Sequence, residues 1–354
     1  MACVLSRVRF WPTMNLKAGA VRTAGQRSEP DGNAGRLPNV ELVRGLAALA
    51  VTWFHLTNSY PDGWVRASGS YGWLGVEAFF VISGFVLPYS LHRSQYKLSD
   101  FGRFMLRRLI RLEPPYVASV LLVVVLAWLS FATPGFRGLS PNFELGQILA
   151  HLLYLVPVFG YDWVSPVYWT LFFEFSFYVV LGLIFPVVAS RSALPFALLG
   201  FCAMVIVSFV AAGNSVTVFF IMGIVAFRSF RGLDSPTTTS VLLTASVLFS
   251  CRFTSSDQTI VGTAVTILLL LRINLKLSIP LAFLGTISYS LYLIHVPIGG
   301  RIVNLGSRLG SGPIFEVALS LSALVVCLVF SWLFWRLVEK PAHAAAKRLP
   351  LKPR

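Results

Sequence analysis

From residue 39 onwards the chain alternates between apolar stretches about one bilayer long and short polar or basic loops. A helix crossing some 30 Å of hydrocarbon needs roughly 20 mainly apolar residues. The pattern predicts such helices at 39–57, 72–90, 116–133, 166–189, 193–212, 214–229, 237–250, 259–271, 279–299 and 314–337. The expected fold class is therefore all-α, a polytopic transmembrane helix bundle of about ten spans. Segments 214–229 and 237–250 are short for a full crossing. No internal repeat suggests a transporter built from inverted halves.

Charge orients the bundle. The loop before Pro114-Pro115 holds Arg93, Lys97, Arg103, Arg107, Arg108 and Arg111 against two acids, which marks the cytoplasmic side and puts the N-terminus there too. The double proline is expected to end the local helix. Segment 144–160 is apolar, but if it crossed, every later loop would change sides. Left uncrossed, it places eleven downstream Lys or Arg inside and three, Arg252, Arg301 and Arg308, outside. It is therefore expected to be an external re-entrant or interfacial helix, with both termini cytoplasmic.

Composition agrees. A mean hydropathy of +0.74, with 56% hydrophobic and 12% charged residues, excludes a soluble domain, whose apolar surface so few polar groups would leave uncovered. A formal charge of +15 sits in clusters between apolar segments, as membrane orientation requires, so no nucleic-acid partner is expected. Cys3, Cys202, Cys251 and Cys327 lack metal or disulfide spacing; no metal and no bound cofactor is expected. Residues 1–38 read as a disordered basic cytoplasmic tail, with Met1 or Met14 as the start, 39–343 as the membrane domain and 344–354 as a second basic tail.

Ionisable side chains inside spans are costly and point to function. RGLAALAVTWFH sets Arg44 and His55 eleven residues apart on the first helix, roughly 16 Å in rise and three turns plus about 20° in rotation, so both face one way. His55 is suited to act as a general base, with Glu77 on the second span as its orienter; the competing readings are a structural histidine and an interhelical ion pair. Glu174, among Trp169, Phe172, Phe173, Phe175 and Phe177, must be paired or protonated. Ser288, Tyr292 and His295 recur on one helical face, suited to hydrogen-bonding a polyol or to joining helices. Arg107, Arg108 and Arg111 offer guanidinium forks for phosphate, against the simpler reading of an orienting cluster. Trp64, Tyr71, Trp73, Trp163, Tyr168 and Trp169 suit stacking on sugars or an interfacial belt.

Taken together, NVELVRGLAALAVTWFH, GWLGVEAFFVISGFVL, RRLIRLEPPY, SPVYWTLFFEFSFY, LGTISYSLYLIHVPI and WRLVEKPAH resemble acyltransferase family 3, the bacterial membrane O-acyltransferases that include O-antigen acetylases. The six stand in the family's order from residue 39 to 343. The resemblance implies Arg44 and His55 as its first-helix pair, Arg108 and Arg111 as the Arg-x-x-Arg element associated with acyl-CoA, and Glu174 as the acid of the fifth segment. Glu77 stands where Asp is more usual, and Glu174 is a single acid where the family often has two. No extra extracytoplasmic hydrolase-like domain is expected after WRLVEKPAH.

The implied activity is transfer of an acyl group, acetyl being commonest in the family, from cytoplasmic acyl-CoA to a hydroxyl of a carbohydrate or glycolipid at the outer face of the bacterial inner membrane. His55, Glu77 and Glu174 would be catalytic, Arg44, Arg108 and Arg111 would bind the donor, and Ser288, Tyr292 and His295 the acceptor. The rival is a transporter or flippase of an anionic or lipid-linked substrate, with His and Glu relaying protons.

Overall fold

The computed structural model describes residues 38–133, 140–191, 216–272 and 278–350, and every regular element among them is helical. Six helical segments are long and apolar enough to cross a membrane. They are α1 (Pro38–Thr57), the short α2 (Trp64–Gly69) leading into α3 (Gly75–Arg93), α4 (Phe101–Phe131), and α7 (Trp169–Val188). The last two are α11 (Ile279–His295), extended through a π-helical turn into α12 (Arg301–Gly306), and α13 (Pro313–Phe334), extended through a π-helical turn at Trp335–Glu339 into α14 (Lys340–Lys347). Shorter helices α8 (Thr217–Phe230), α9 (Pro236–Phe253) and α10 (Ser256–Leu270) complete the core. The expected span at 193–212 lies outside the described residues.

One expectation is corrected. The double proline does not end a helix: α4 runs unbroken for 31 residues with Pro114 and Pro115 inside it, so the basic RRLIR segment and the apolar span share one rod. Proline removes the donors that the carbonyls of Ile110 and Arg111 would otherwise receive. Packing within a membrane bundle tolerates that loss.

Segment 144–160 forms no spanning helix. It folds as α5 (Leu145–Leu152) and α6 (Val156–Phe159), separated by a bend where Tyr154 takes a left-handed φ of 56°. Leu145, Leu149, Leu153, Val158 and Phe159 are exposed, whereas His151, Tyr154 and Val156 face the core. His151 fastens this piece: Nδ1 lies 2.9 Å from the Tyr116 hydroxyl, and Nε2 accepts the Val164 N–H at 3.2 Å. Tyr168 donates to Ser119 alongside, at 2.9 Å.

Helix register is set where backbones nearly touch. A Cβ on Gly84 of α3 would lie 2.0 Å from the Phe220 carbonyl oxygen of α8, and one on Gly223 would lie 2.1 Å from that of Val81. Gly45 of α1 and Gly285 of α11 make a second such crossing, with a Gly285 Cβ only 2.5 Å from the Glu41 carbonyl. Between lipid-embedded helices there is little hydrophobic drive, so small residues that permit dense packing supply the attraction. α8 is buried all round from Thr217 to Arg228. Its lower end is held by buried Arg228, which grips Asp234 through Nη2 at 2.6 Å and donates to the Val188 carbonyl at the end of α7.

Two predictions follow from these contacts. Gly84→Val forces α3 off α8 and should cost at least about 1–3 kcal/mol, seen as a lower thermal midpoint in detergent. Burial pushes the His151 imidazole down to about 4 from 6.5. The unfolded chain therefore takes up a proton near 6.5 that the folded chain refuses, so this contribution is full above that pH and lost as pH falls toward 4. The thermal midpoint should drop on acidification through that window, and drop less in His151→Gln.

Candidate active site

Along α3, Val76, Phe79, Phe80, Ser83, Val86, Leu87 and Ser90 recur at helical spacing and line one cavity of about 160 Å³. From Val76 to Ser90 is roughly 21 Å of helix, most of the depth of a bilayer core. α7 supplies Thr170, Leu171, Glu174 and Tyr178 to the facing wall, and α11 supplies Tyr289 and Tyr292. Arg44 of α1, Arg108 and Arg111 of α4, and Glu339 of the last π-helical turn complete the lining, with Arg44, Arg111 and Glu339 within Coulombic reach of one another.

The electrostatics of this charged cluster are lopsided. Among the described residues none of the three arginines forms a salt bridge, and the Arg44 Nε is buried with no hydrogen-bond partner. Glu339 lies within Coulombic reach of Arg44 and Arg111, but its carboxylate accepts from Ser290 at 2.5 Å. Glu174 is within reach of Arg108 and Arg111, yet Oε1 accepts from Tyr178 and, at 3.4 Å, from Ser83. Arg108 stacks over the Tyr178 ring at 5.3 Å. Three guanidiniums against two acids that are already hydrogen-bonded leave positive charge uncompensated in a buried cleft of mixed polar and apolar lining. An anion is the natural complement.

Five of the nine residues singled out in the sequence, Arg44, Arg108, Arg111, Glu174 and Tyr292, line this cavity. The other four do not line it: Glu77 directly follows Val76 on α3, His295 and His55 lie beyond Tyr292, and Ser288 is one turn before Tyr292 on α11. The Tyr292 hydroxyl donates to the Val167 carbonyl at 3.2 Å and lies 2.8 Å from that of Thr170. Its ring is 5.9 Å from that of His295, which in turn lies 5.1 Å from His55. The buried His295 places Nδ1 2.9 Å from the Leu291 carbonyl, while Nε2 has no partner. Glu77 is 1% exposed; its Oε1 accepts from Gln258 at 2.7 Å and its Oε2 has no partner. Ser288 turns back to the Gly285 carbonyl of its own helix. Tyr168 is fully buried, so it offers no ring to a sugar.

A family model described as an acyltransferase domain matches residues 37–336, which takes in every element of this cavity except Glu339. The chain belongs to acyltransferase family 3. No curated protein and no solved structure matches it. This acyltransferase, which moves groups other than aminoacyl groups, is a multi-pass membrane protein by its six long apolar helices. Its cavity also contains residues that the sequence did not single out: Ser83, Tyr178, Tyr289 and Glu339. Glu339 carried a signal, an acid inside WRLVEKPAH, but its basic neighbours Arg336 and Lys340 made the stretch resemble an ordinary helix end.

Proposed function

We propose that this chain moves an acyl group, acetyl in the first instance, from cytoplasmic acyl-CoA to a hydroxyl of a carbohydrate or glycolipid at the outer face of a bacterial cytoplasmic membrane. The single observation that carries this reading is a cavity lined along about 21 Å of α3, with three arginines in its wall that form no salt bridge among the described residues and a histidine pair beside its Tyr292. In this reading the bundle has about ten spans and both termini are cytoplasmic. The arginine end then opens inward and the His55 end lies toward the outer face.

The donor's phosphates lie on Arg44, Arg108 and Arg111, whose planar forks match phosphate oxygens bidentately. Its thioester extends up the cleft between α3 and α7. The acceptor enters from outside, with Tyr292 and the open Nε2 of His295 available to its hydroxyls. His55 takes the hydroxyl proton as the oxygen attacks the thioester carbonyl; the C–S bond breaks and the proton passes to the departing thiolate, giving an ester and free CoA thiol. Glu77, held by Gln258 at 2.7 Å and within Coulombic reach of Tyr292, acts on the reacting groups from the α3 wall and not through contact with His55. Glu174 stabilises the cationic wall without neutralising it.

Mass spectrometry of surface and secreted glycans from a deletion strain tests this. Wild type should restore a mass step of one acyl group, and His55→Ala, expressed at equal level, should not. Unchanged glycans, with a lipid-linked intermediate accumulating on one side of the membrane, would sink the acyltransferase assignment of substrate and side. Arg111→Lys keeps the charge but loses the fork, and should raise the KM for acyl-CoA by roughly tenfold with little change in kcat.

A further inference from the structure

Gln258 lies in a part of the chain that no motif of the site includes, yet it makes the one hydrogen bond that Glu77 receives from a side chain among the described residues. We propose that Gln258, locked by Ser255, is a positioning residue that presents Glu77 to the reacting centre with its Oε2 edge free; this rests on the role given to Glu77 above.

The amide of Gln258 is held by a capping box at the start of α10. Its Oε1 accepts the Ser255 N–H at 3.0 Å, and its own N–H donates to the Ser255 hydroxyl at 3.3 Å. With the amide oxygen occupied, the NH2 group must face Glu77, and a flip would break the cap. An NH2 group only donates, so Oε1 of Glu77 is an acceptor there and cannot carry a proton toward Gln258. Oε2, buried and without a partner, is the oxygen left to meet a ligand hydroxyl or an imidazole N–H.

The bundle also explains why Gln258 reaches that spot. α10 is pinned to α8 at Gly262, where a Cβ would lie 2.4 Å from the Phe219 ring, and α8 is pinned to α3 at Gly84 and Gly223. Gln258 stands one turn before Gly262, and Glu77 two turns before Gly84, so both project at the same end of the three-helix group. The Gln258–Glu77 bond closes the triangle. Ser250 of α9 adds a 2.8 Å hydrogen bond to Thr259, bracing the α9–α10 hairpin beside the cap.

The test uses the purified full chain in nanodiscs, acetyl-CoA as donor and envelope glycan from the deletion strain as acceptor. Gln258→Met keeps length and removes the donor; kcat should fall roughly tenfold to a hundredfold with the KM for acetyl-CoA and the thermal midpoint little changed. Glu77→Gln should abolish most turnover, and the double variant should be no slower than Glu77→Gln alone, because a positioning residue has nothing left to position. Ser255→Ala, which frees the amide to flip, should lower kcat about threefold, and it decides the matter should Gln258→Met fail to fold. Wild-type kcat in Gln258→Met or Ser255→Ala, with Glu77→Gln inactive, overturns the proposal alone. Full activity in Glu77→Gln instead overturns the role assigned to Glu77.

Discussion

Close backbone contact at two glycine crossings is the constraint from which the site follows. Lipid tails are as apolar as leucine, so helices gain little by hiding apolar side chains from them; packing density and interhelical hydrogen bonds decide the arrangement. Gly45 against Gly285 fixes α1 on α11, and Gly84 against Gly223 fixes α3 on α8. With those two pairs set, the Arg44 and Tyr292 faces turn toward the same cleft as the α3 stripe from Val76 to Ser90. Bulkier residues at the crossings would separate the helices and dissolve the cavity before touching any chemical group.

A bundle so apolar gives its few charges unusual weight. Desolvating an unpaired guanidinium is costly, and this chain places three around one cleft while giving the nearby acids hydrogen bonds from Ser83, Tyr178 and Ser290. Those hydroxyls hold the carboxylates back from the arginines, whereas full ion pairing would have left no room for a ligand anion. The contrast within the same molecule is Arg228, buried and clasped by Asp234 through two short hydrogen bonds, which ties helix ends together and sits away from the cavity.

Much of this was legible in the sequence because a charge inside an apolar run stands out against its surroundings. Glu174 stood out for that reason, Arg44 through its spacing from His55, Arg108 and Arg111 as a cluster of guanidinium forks and through the family resemblance, and the spans were visible from hydropathy. The double proline points to a helix end because local sequence rules count the donors it removes but not the surrounding packing, whereas α4 continues through it. Gln258 was out of reach for a different reason. Ser255-x-x-Gln258 is a readable capping box, but a neutral amide at a helix start carries no cost that demands explanation, and its meeting with Glu77 depends on how α10 lies on α3. Glu339 was hidden by position, at the foot of the last span among cations. The pattern is physical: sequence exposes groups that are costly where they stand, and conceals those whose partners come from distant helices.

The distance along the site also constrains the donor in the proposed reaction. Arg44 and His55 lie roughly 16 Å apart on one helix, and the arginines that bind the donor's anionic part cluster at the Arg44 end. A donor whose reactive carbonyl is bonded directly to its phosphate, such as an acyl phosphate, would leave that carbonyl beside Arg108 and Arg111, far from the histidine pair. The donor must carry its acyl group on a long, slender and largely uncharged arm able to lie along the apolar face of α3. A CoA thioester has that build. In the proposed reaction, the span between the arginines and the base and the charge of the arginines favour the same class of donor, one by length and the other by charge.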